Sequence, residues 1–308
     1  MRILVLGAGA VGGYFGGRLA EAGRDVTFLV RPARAALLAE RGLKVTSPLG
    51  DFTVQPQLAT ADRLGGTYDL ILLTAKHYDL DQAIDAIRPA VGPRTSVLPL
   101  LNGLVHLDRL AAVFGGEAIL GGVAYVGASL QPDGGIRHHN QLSGIAFGER
   151  AGGISARTQA IGAEFADSKV SAPPSDNVML DMWEKFVMIT TMAGMNCLMR
   201  GTIGEIAATE DGTALMLQLF AENQAVAAAA GYQPRQAYCD NIARMLSEKG
   251  SVNNASMHHD LQHGARTEAD WIIGDMRRRA AALGVATPLL RTAYAHLQIY
   301  ENRRASRG

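Results

Sequence analysis

Apolar residues in the first half of the chain fall in short continuous runs, at 2–6, 25–30, 69–74, 94–100 and 118–126, separated by turn-forming and charged stretches. Runs of this length without polar alternation are typical of strands covered on both faces, as in parallel sheets. Between them, residues 13–20 and 80–87 carry apolar side chains at helical spacing. The stretches 42–46 and 51–55 flank Ser47-Pro48-Leu49-Gly50, which predicts a small hairpin inserted after the second strand–helix unit. Pro132-Asp133-Gly134-Gly135 predicts a second hairpin closing the first domain, and 151–166 holds one more helix. Ser171-Ala172-Pro173-Pro174-Ser175 predicts a linker, because two prolines halt both helix and strand. Beyond it the period changes. Helical spacing runs through 178–199, 204–230, 236–247, 256–262, 267–283 and 289–300, with no further strand–helix alternation. The pattern predicts an α/β domain over 1–172 followed by an all-α domain over 173–308.

The first strand breaks into Gly7-Ala8-Gly9-Ala10-Val11-Gly12 ahead of a helix and a second strand. That order is the Rossmann dinucleotide-binding unit. Gly7 permits the tight turn, Gly9 lets the backbone approach a pyrophosphate, and Gly12 lets the helix pack against the strand. Ala10 and Val11 open the helix whose unpaired N–H groups would receive the phosphates. The end of the second strand usually carries Asp or Glu for the ribose hydroxyls of NAD. Here that position is Arg31, with Arg34 one turn on, so a 2′-phosphate is the expected partner and NADP(H) the expected cofactor. The plain alternative is a pair of solvated arginines beside Pro32. Arg2 before an apolar run also has the look of a secretory leader, against which stand the many glycines and Arg18, Glu21 and Arg24.

Composition narrows the function. The 308 residues include 29 basic and 29 acidic side chains, and 48% are hydrophobic. Balanced charge leaves no footprint for nucleic acid or an anionic membrane, and no apolar run approaches the roughly 20 residues of a membrane span. Cys197 and Cys239 are the only cysteines. Two free, buried thiols in a cytoplasmic protein are the expectation.

Several side chains stand where chemistry could occur. Lys76 and Asn102 follow the carboxyl ends of predicted parallel strands, the edge at which doubly wound sheets bind ligands. An ordinary loop lysine and a tight Asn102-Gly103 turn are the plain readings. In the helical half, Lys185 interrupts a strongly apolar helix, where burial lowers an ammonium's pKa unless the side chain snorkels to water. Thr267 and Asp270 have the spacing of a capping box, and Glu268 between them suits a helix start. His138 and His139 would point to opposite faces of a strand and read as solvated residues. His259 and His263 share a helix face but lack a third ligand, so no metal is expected.

Together, GAGAVGGYFGGRLA at the N-terminus, Arg31, LLTAKHYDL around Lys76, LLNGL around Asn102, WEKF around Lys185, ASMHHDL around Ser256, RTEADWIIG around Glu268 and the late LGVATP resemble the ketopantoate reductase (2-dehydropantoate 2-reductase) family, in one order over nearly the whole chain. The resemblance implies a Rossmann domain followed by an all-α domain of the 6-phosphogluconate dehydrogenase C-terminal type. It implies NADPH and the reduction of a 2-keto acid to a 2-hydroxy acid. It makes Lys185 the general acid and Glu268 the carboxylate that orients substrate and lysine. It sets Ser256 on the substrate carboxylate, Asn102 between nicotinamide and substrate, and Lys76 beside the cofactor.

The sequence also departs from the family pattern. The best-known members carry asparagines four and eight residues after the lysine, where this chain has Ile189 and Ala193. On a helix these positions follow Lys185 along one stripe, so Ile189 is expected to line the substrate pocket. Asn196 lies about 16 Å along the axis from Lys185 and is not expected to replace the amides. Asn253 and Asn254 in a polar loop are the alternative source. The expected partners are a small 2-keto acid, more apolar than ketopantoate, and a second copy of the chain in a homodimer. Rival readings are a same-fold dehydrogenase for another keto or hydroxy acid, and a non-catalytic NADPH sensor. The presence of both Lys185 and Glu268 argues against the sensor.

Overall fold

A computed structural model describes residues 1–306. They form two compact units: Met1–Leu101 with His106–Met179, and Asn102–Val105 with the chain from Leu180 onward.

In the first unit, β1 (Arg2–Leu6) turns into α1 (Ala10–Glu21), followed by β2 (Asp25–Leu29) and α2 (Pro32–Arg41). Next come β3 (Leu43–Thr46), β4 (Phe52–Val54), β5 (Gln57–Ala59), β6 (Leu70–Leu73), α3 (Leu80–Ile87) and β7 (Ser96–Pro99). Then follow α4 (Val105–Phe114), β8 (Gly121–Leu130), β9 (Ile136–Gly148) and α5 (Ala156–Glu164). β5, β2, β1, β6 and β7, in that order, make an all-parallel sheet. All four residues of β6 are buried, as continuous apolarity requires of a strand covered on both faces. The sheet ends its strands on one edge, where the glycine turn and the segment after β6 both emerge.

A second sheet has the order β4, β3, β9, β8. The predicted 42–55 hairpin is half of it, with β3 running parallel to β9. The run at 118–126 becomes β8 of this sheet, antiparallel to β9. β5 and α4 are absent from the sequence expectations. β5 has three residues and exists through its pairing with β2.

Two expectations are corrected here. His138 is buried, not solvated: its Nε2 donates to Leu142 O at 2.9 Å, its Nδ1 meets Ser47 Oγ at 2.9 Å, and its ring lies 4.5 Å from that of Tyr14. Burial lowers its pKa. The 171–175 segment is not a free linker. Ser171 and Pro174 pair with Gly144 and Phe147, because a proline-rich segment still offers carbonyls: Ser171 O accepts from Ile145 N at 2.8 Å.

The helical unit comprises α6 (Val178–Met199), α7 (Ile203–Ala207), α8 (Gly212–Ala229), α9 (Gln236–Leu246), α10 (Ser256–Gln262), a π-helical turn over Asp270–Gly274, α11 (Asp275–Ala282) and α12 (Pro288–Ala305). The single helix expected over 204–230 is two. Thr202 and Glu205 form a capping box that starts α7, with Thr202 N donating to Glu205 Oε2 at 2.7 Å. The chain then crosses so closely that a Cβ at Gly212 would lie 1.8 Å from Ile206 O. The start expected at Thr267 also differs. Thr267 N and Oγ1 both donate to Glu301 Oε1, while Asp270 accepts from Arg278 and Tyr294, so no capping box forms. The buried Glu222 instead caps α12, accepting from Leu289 N and Leu290 N. Both cysteines are free and buried. Among the described residues no helix is long and apolar enough to cross a membrane.

Candidate active site

The glycine turn is built as its residue types require. Gly7 has φ +92°, a conformation that disfavours side chains. A Cβ at Gly12 would fall 2.2 Å from Gly7 O and 2.4 Å from Thr74 Oγ1, so only glycine lets α1 approach β1 and β6 this closely. Thr74 Oγ1 in turn donates to Leu6 O at 2.7 Å. Gly9, the residue before α1, faces open space, and no side chain caps the helix there. Ala10 and Val11 form the first turn of α1. The leading N–H groups and the positive end of the helix dipole are therefore available to an anion.

A cleft of about 770 Å³ opens at this turn, lined by Gly7, Gly9, Arg31, Arg34, Thr74 and Asp79 among others. Its size and glycine floor fit a dinucleotide. The two arginines divide their work. Arg31 is 76% exposed and pairs with Asp79 at 3.2 Å. Arg34 donates to Ala8 O and to Gly134 O, both at 2.8 Å, and burial lowers its pKa. It is a strut for the glycine turn, a role invisible in the sequence because its partner Gly134 lies in the β8–β9 hairpin. Lys76 is partly buried and starts the short turn His77–Asp79; Ala75 before it and Asp79 after it line the cleft.

In the helical unit, Lys185 lies on α6 between the buried Trp183 and Phe186 and is itself largely enclosed. Burial pushes its ammonium down to about 8. The adjacent Glu184 is buried and accepts from Arg235 N at 2.8 Å and Arg235 Nε at 2.9 Å, tying α6 to the start of α9. Asn102–Val105 also belongs to this unit. Gly103 there has φ +80°, and its Cβ position lies 3.4 Å from Trp271 O and 3.6 Å from the Phe186 ring. The Asn102 turn thus packs against the neighbour of Lys185 and against the segment that follows Glu268. Glu268 is buried, and its carbonyl accepts from Trp271 N at 3.1 Å and Ile272 N at 3.0 Å as the π-helical turn begins. Such turns recur at functional sites.

Ser256 is the exposed first residue of α10. Ile189 is partly exposed on α6, and Ala193 is buried. Asn196 is fully buried and bonded to Gly201 O and Ala255 N, so its amide serves the backbone. Asn254 Oδ1 meets His258 Nδ1 at 2.7 Å, and both Asn253 and Asn254 are exposed. The His259 and His263 rings lie with centroids 4.1 Å apart and planes inclined by 31°. Among the described residues, no three His, Cys, Asp or Glu side chains are grouped to hold a metal.

Comparison with known proteins matches residues 3–152 to Ketopantoate reductase PanE/ApbA and residues 177–301 to Ketopantoate reductase PanE/ApbA C terminal. A 2-dehydropantoate 2-reductase of Streptococcus pyogenes serotype M1 is 30% identical over 94% of this chain and 95% of its own. The chain belongs to the ketopantoate reductase family. A Bacillus subtilis (strain 168) relative, described as an uncharacterized oxidoreductase YkpB, is 35% identical over 98% of this chain and 99% of its own. The crystal structure of a PanE/ApbA family ketopantoate reductase from Ralstonia eutropha JMP134 matches with TM-score 0.89 and 27% identity, covering 99% of this chain and all of that one. Ketopantoate reductases are oxidoreductases using NAD(P)H, and the order seen here, Rossmann-like then helical, is theirs.

Proposed function

We propose that this ketopantoate reductase family member reduces a 2-keto acid to the 2-hydroxy acid with NADPH, and that its substrate is more apolar than ketopantoate. The observation that carries the reading is Lys185, an ammonium enclosed on an apolar helix with its pKa lowered to about 8. Bound NADPH would supply the hydride that adds to the C2 carbonyl carbon. Negative charge then develops on the carbonyl oxygen, and the Lys185 ammonium stabilises it and donates the proton. A pKa near 8 keeps the lysine charged at neutral pH while easing the proton's release. Glu268 orients Lys185 and substrate, Ser256 holds the carboxylate with help from backbone donors, and Asn102 fixes the carbonyl end beside the nicotinamide. Gly7, Gly9, Ala10, Val11 and Gly12 carry the diphosphate, Arg31 the 2′-phosphate, and Lys76 the cofactor's border.

The apolar substrate follows from Ile189 and Ala193. Neither can bond a hydroxyl, and a hydroxyl without a partner in a dry pocket costs on the order of 1–3 kcal/mol. A homodimer is part of the same proposal; the helical unit exposes the apolar side chains of Met199, Val252, Leu283 and Ile299. A cytoplasmic setting is supported by the two free thiols. NADPH oxidation measured with a panel of 2-keto acids tests the whole reading. Turnover of none of them, with the nucleotide still bound, would favour a sensor instead.

A further inference from the structure

At the Arg31 side of the cleft the structure holds an ion pair, not a lone cation. Arg31 Nη2 lies 3.2 Å from Asp79 Oδ2, and both side chains line the cleft. Arg34 is committed to Ala8 O and Gly134 O, so it adds structure more than a mobile charge. Asp62 lines the same cleft, adding a second carboxylate. Asp79 precedes α3 without capping it, and its own N–H is held by Lys76 O at 3.0 Å. Its backbone is thus fixed independently of its carboxylate.

We propose that Asp79 is a cofactor-specificity residue: it holds Arg31 in an ion pair that a 2′-phosphate must break, and so it moderates the preference for NADPH over NADH. The proposal rests on the nucleotide reading of the cleft. Physically, the pair is exposed at 76% and 37% and therefore weak, so a phosphate can displace it. A phosphate that took over Arg31 would carry nearly two negative charges into the neighbourhood of the Asp79 carboxylate. Asp79 thus opposes NADPH twice, by competing for Arg31 and by repelling the phosphate. NADH has no such group and is not opposed.

The test is Asp79→Asn, which keeps shape and removes charge. Binding is titrated by calorimetry with adenosine 2′,5′-bisphosphate, AMP, NADPH and NADH, and thermal unfolding checks the fold. Affinity for the two 2′-phosphorylated molecules should rise on the order of tenfold, with AMP and NADH changing by less than about twofold. In an Arg31→Ala background the same substitution should give about threefold or less, since only the repulsion is left to relieve. Asp79→Ala should act in the same direction as Asp79→Asn. Equal changes for all four molecules, or no change for any, would overturn the proposal. Failure of the unaltered protein to bind either dinucleotide would instead overturn the reading of the cleft itself.

Discussion

Asn196 Oδ1 accepts the backbone N–H of Ala255 at 3.1 Å while its Nδ2 donates to Gly201 O at 2.8 Å. One buried amide thereby ties the end of α6 to the turn after it and to the residue before Ser256. The neighbouring backbone is joined as well: Ile203 N donates to Asn253 O and Gly204 N to Ser251 O. A Cβ at Gly204 would meet Ser251 N at 2.4 Å. Asn196 therefore fixes the backbone from which Ser256, the proposed carboxylate ligand, extends. Asn196→Ala should strand two backbone groups and cost about 1–3 kcal/mol of stability. It should also raise KM for the keto acid several-fold more than it alters NADPH affinity. Thermal unfolding and steady-state kinetics check this, and an unchanged KM would uncouple Ser256 from Asn196.

With Lys185 as the proposed acid, its lowered pKa predicts a pH profile. Below about 8 the side chain is an ammonium and can donate, so kcat/KM for reduction should be level there. Above it, the rate should fall about tenfold per pH unit. Oxidation of the 2-hydroxy acid needs the free amine, so its limb should rise toward the same pH and then level. Lys185→Ala should lower turnover by about 10²-fold or more with NADPH still bound. A profile flat through pH 8, or near-normal turnover in the variant, would remove Lys185 as the acid.

Arg31 and Arg34 should separate in binding. Arg31→Asp should weaken NADPH more than NADH, because only one of them has a 2′-phosphate. Arg34→Ala should weaken both equally, since Arg34 holds Ala8 and Gly134 rather than the phosphate. It should also lower stability by about 1–3 kcal/mol. Fluorescence titration with each nucleotide distinguishes the two patterns.

The proposed preference for an apolar substrate is tested at Ile189. The ratio of kcat/KM for ketopantoate to that for its analogue lacking the terminal hydroxyl should lie at or below one in this protein. Ile189→Asn should move that ratio toward ketopantoate by roughly ten- to two-hundredfold, the equivalent of one satisfied hydroxyl. A strong preference for ketopantoate in the unaltered protein would mean that another group, such as Asn253, bonds the hydroxyl.

Much of the fold is local and was therefore legible. Leu80–Ile87, Val178–Met199 and Ser256–Gln262 begin and end where periodicity and breakers say, because a helix's bonds and faces are set within a few residues. The glycine turn is legible for the same reason: Gly7 needs its φ, and Gly12 its missing Cβ, whatever the rest of the chain does. Lys185 was legible as an ammonium on an apolar helix. Tertiary structure alone decided the partners. Arg34 reaches Gly134 a hundred positions away, Arg31 finds Asp79, and Asn196 finds Ala255. His138 became buried because Ser47 and Leu142 satisfy both ring nitrogens. The break before Gly212 and the Glu301 bonds to Thr267 likewise arise from contacts across the helical unit. Periodicity records which face of an element avoids water, whereas a hydrogen-bond or ion-pair partner is chosen by the packing of elements distant along the chain.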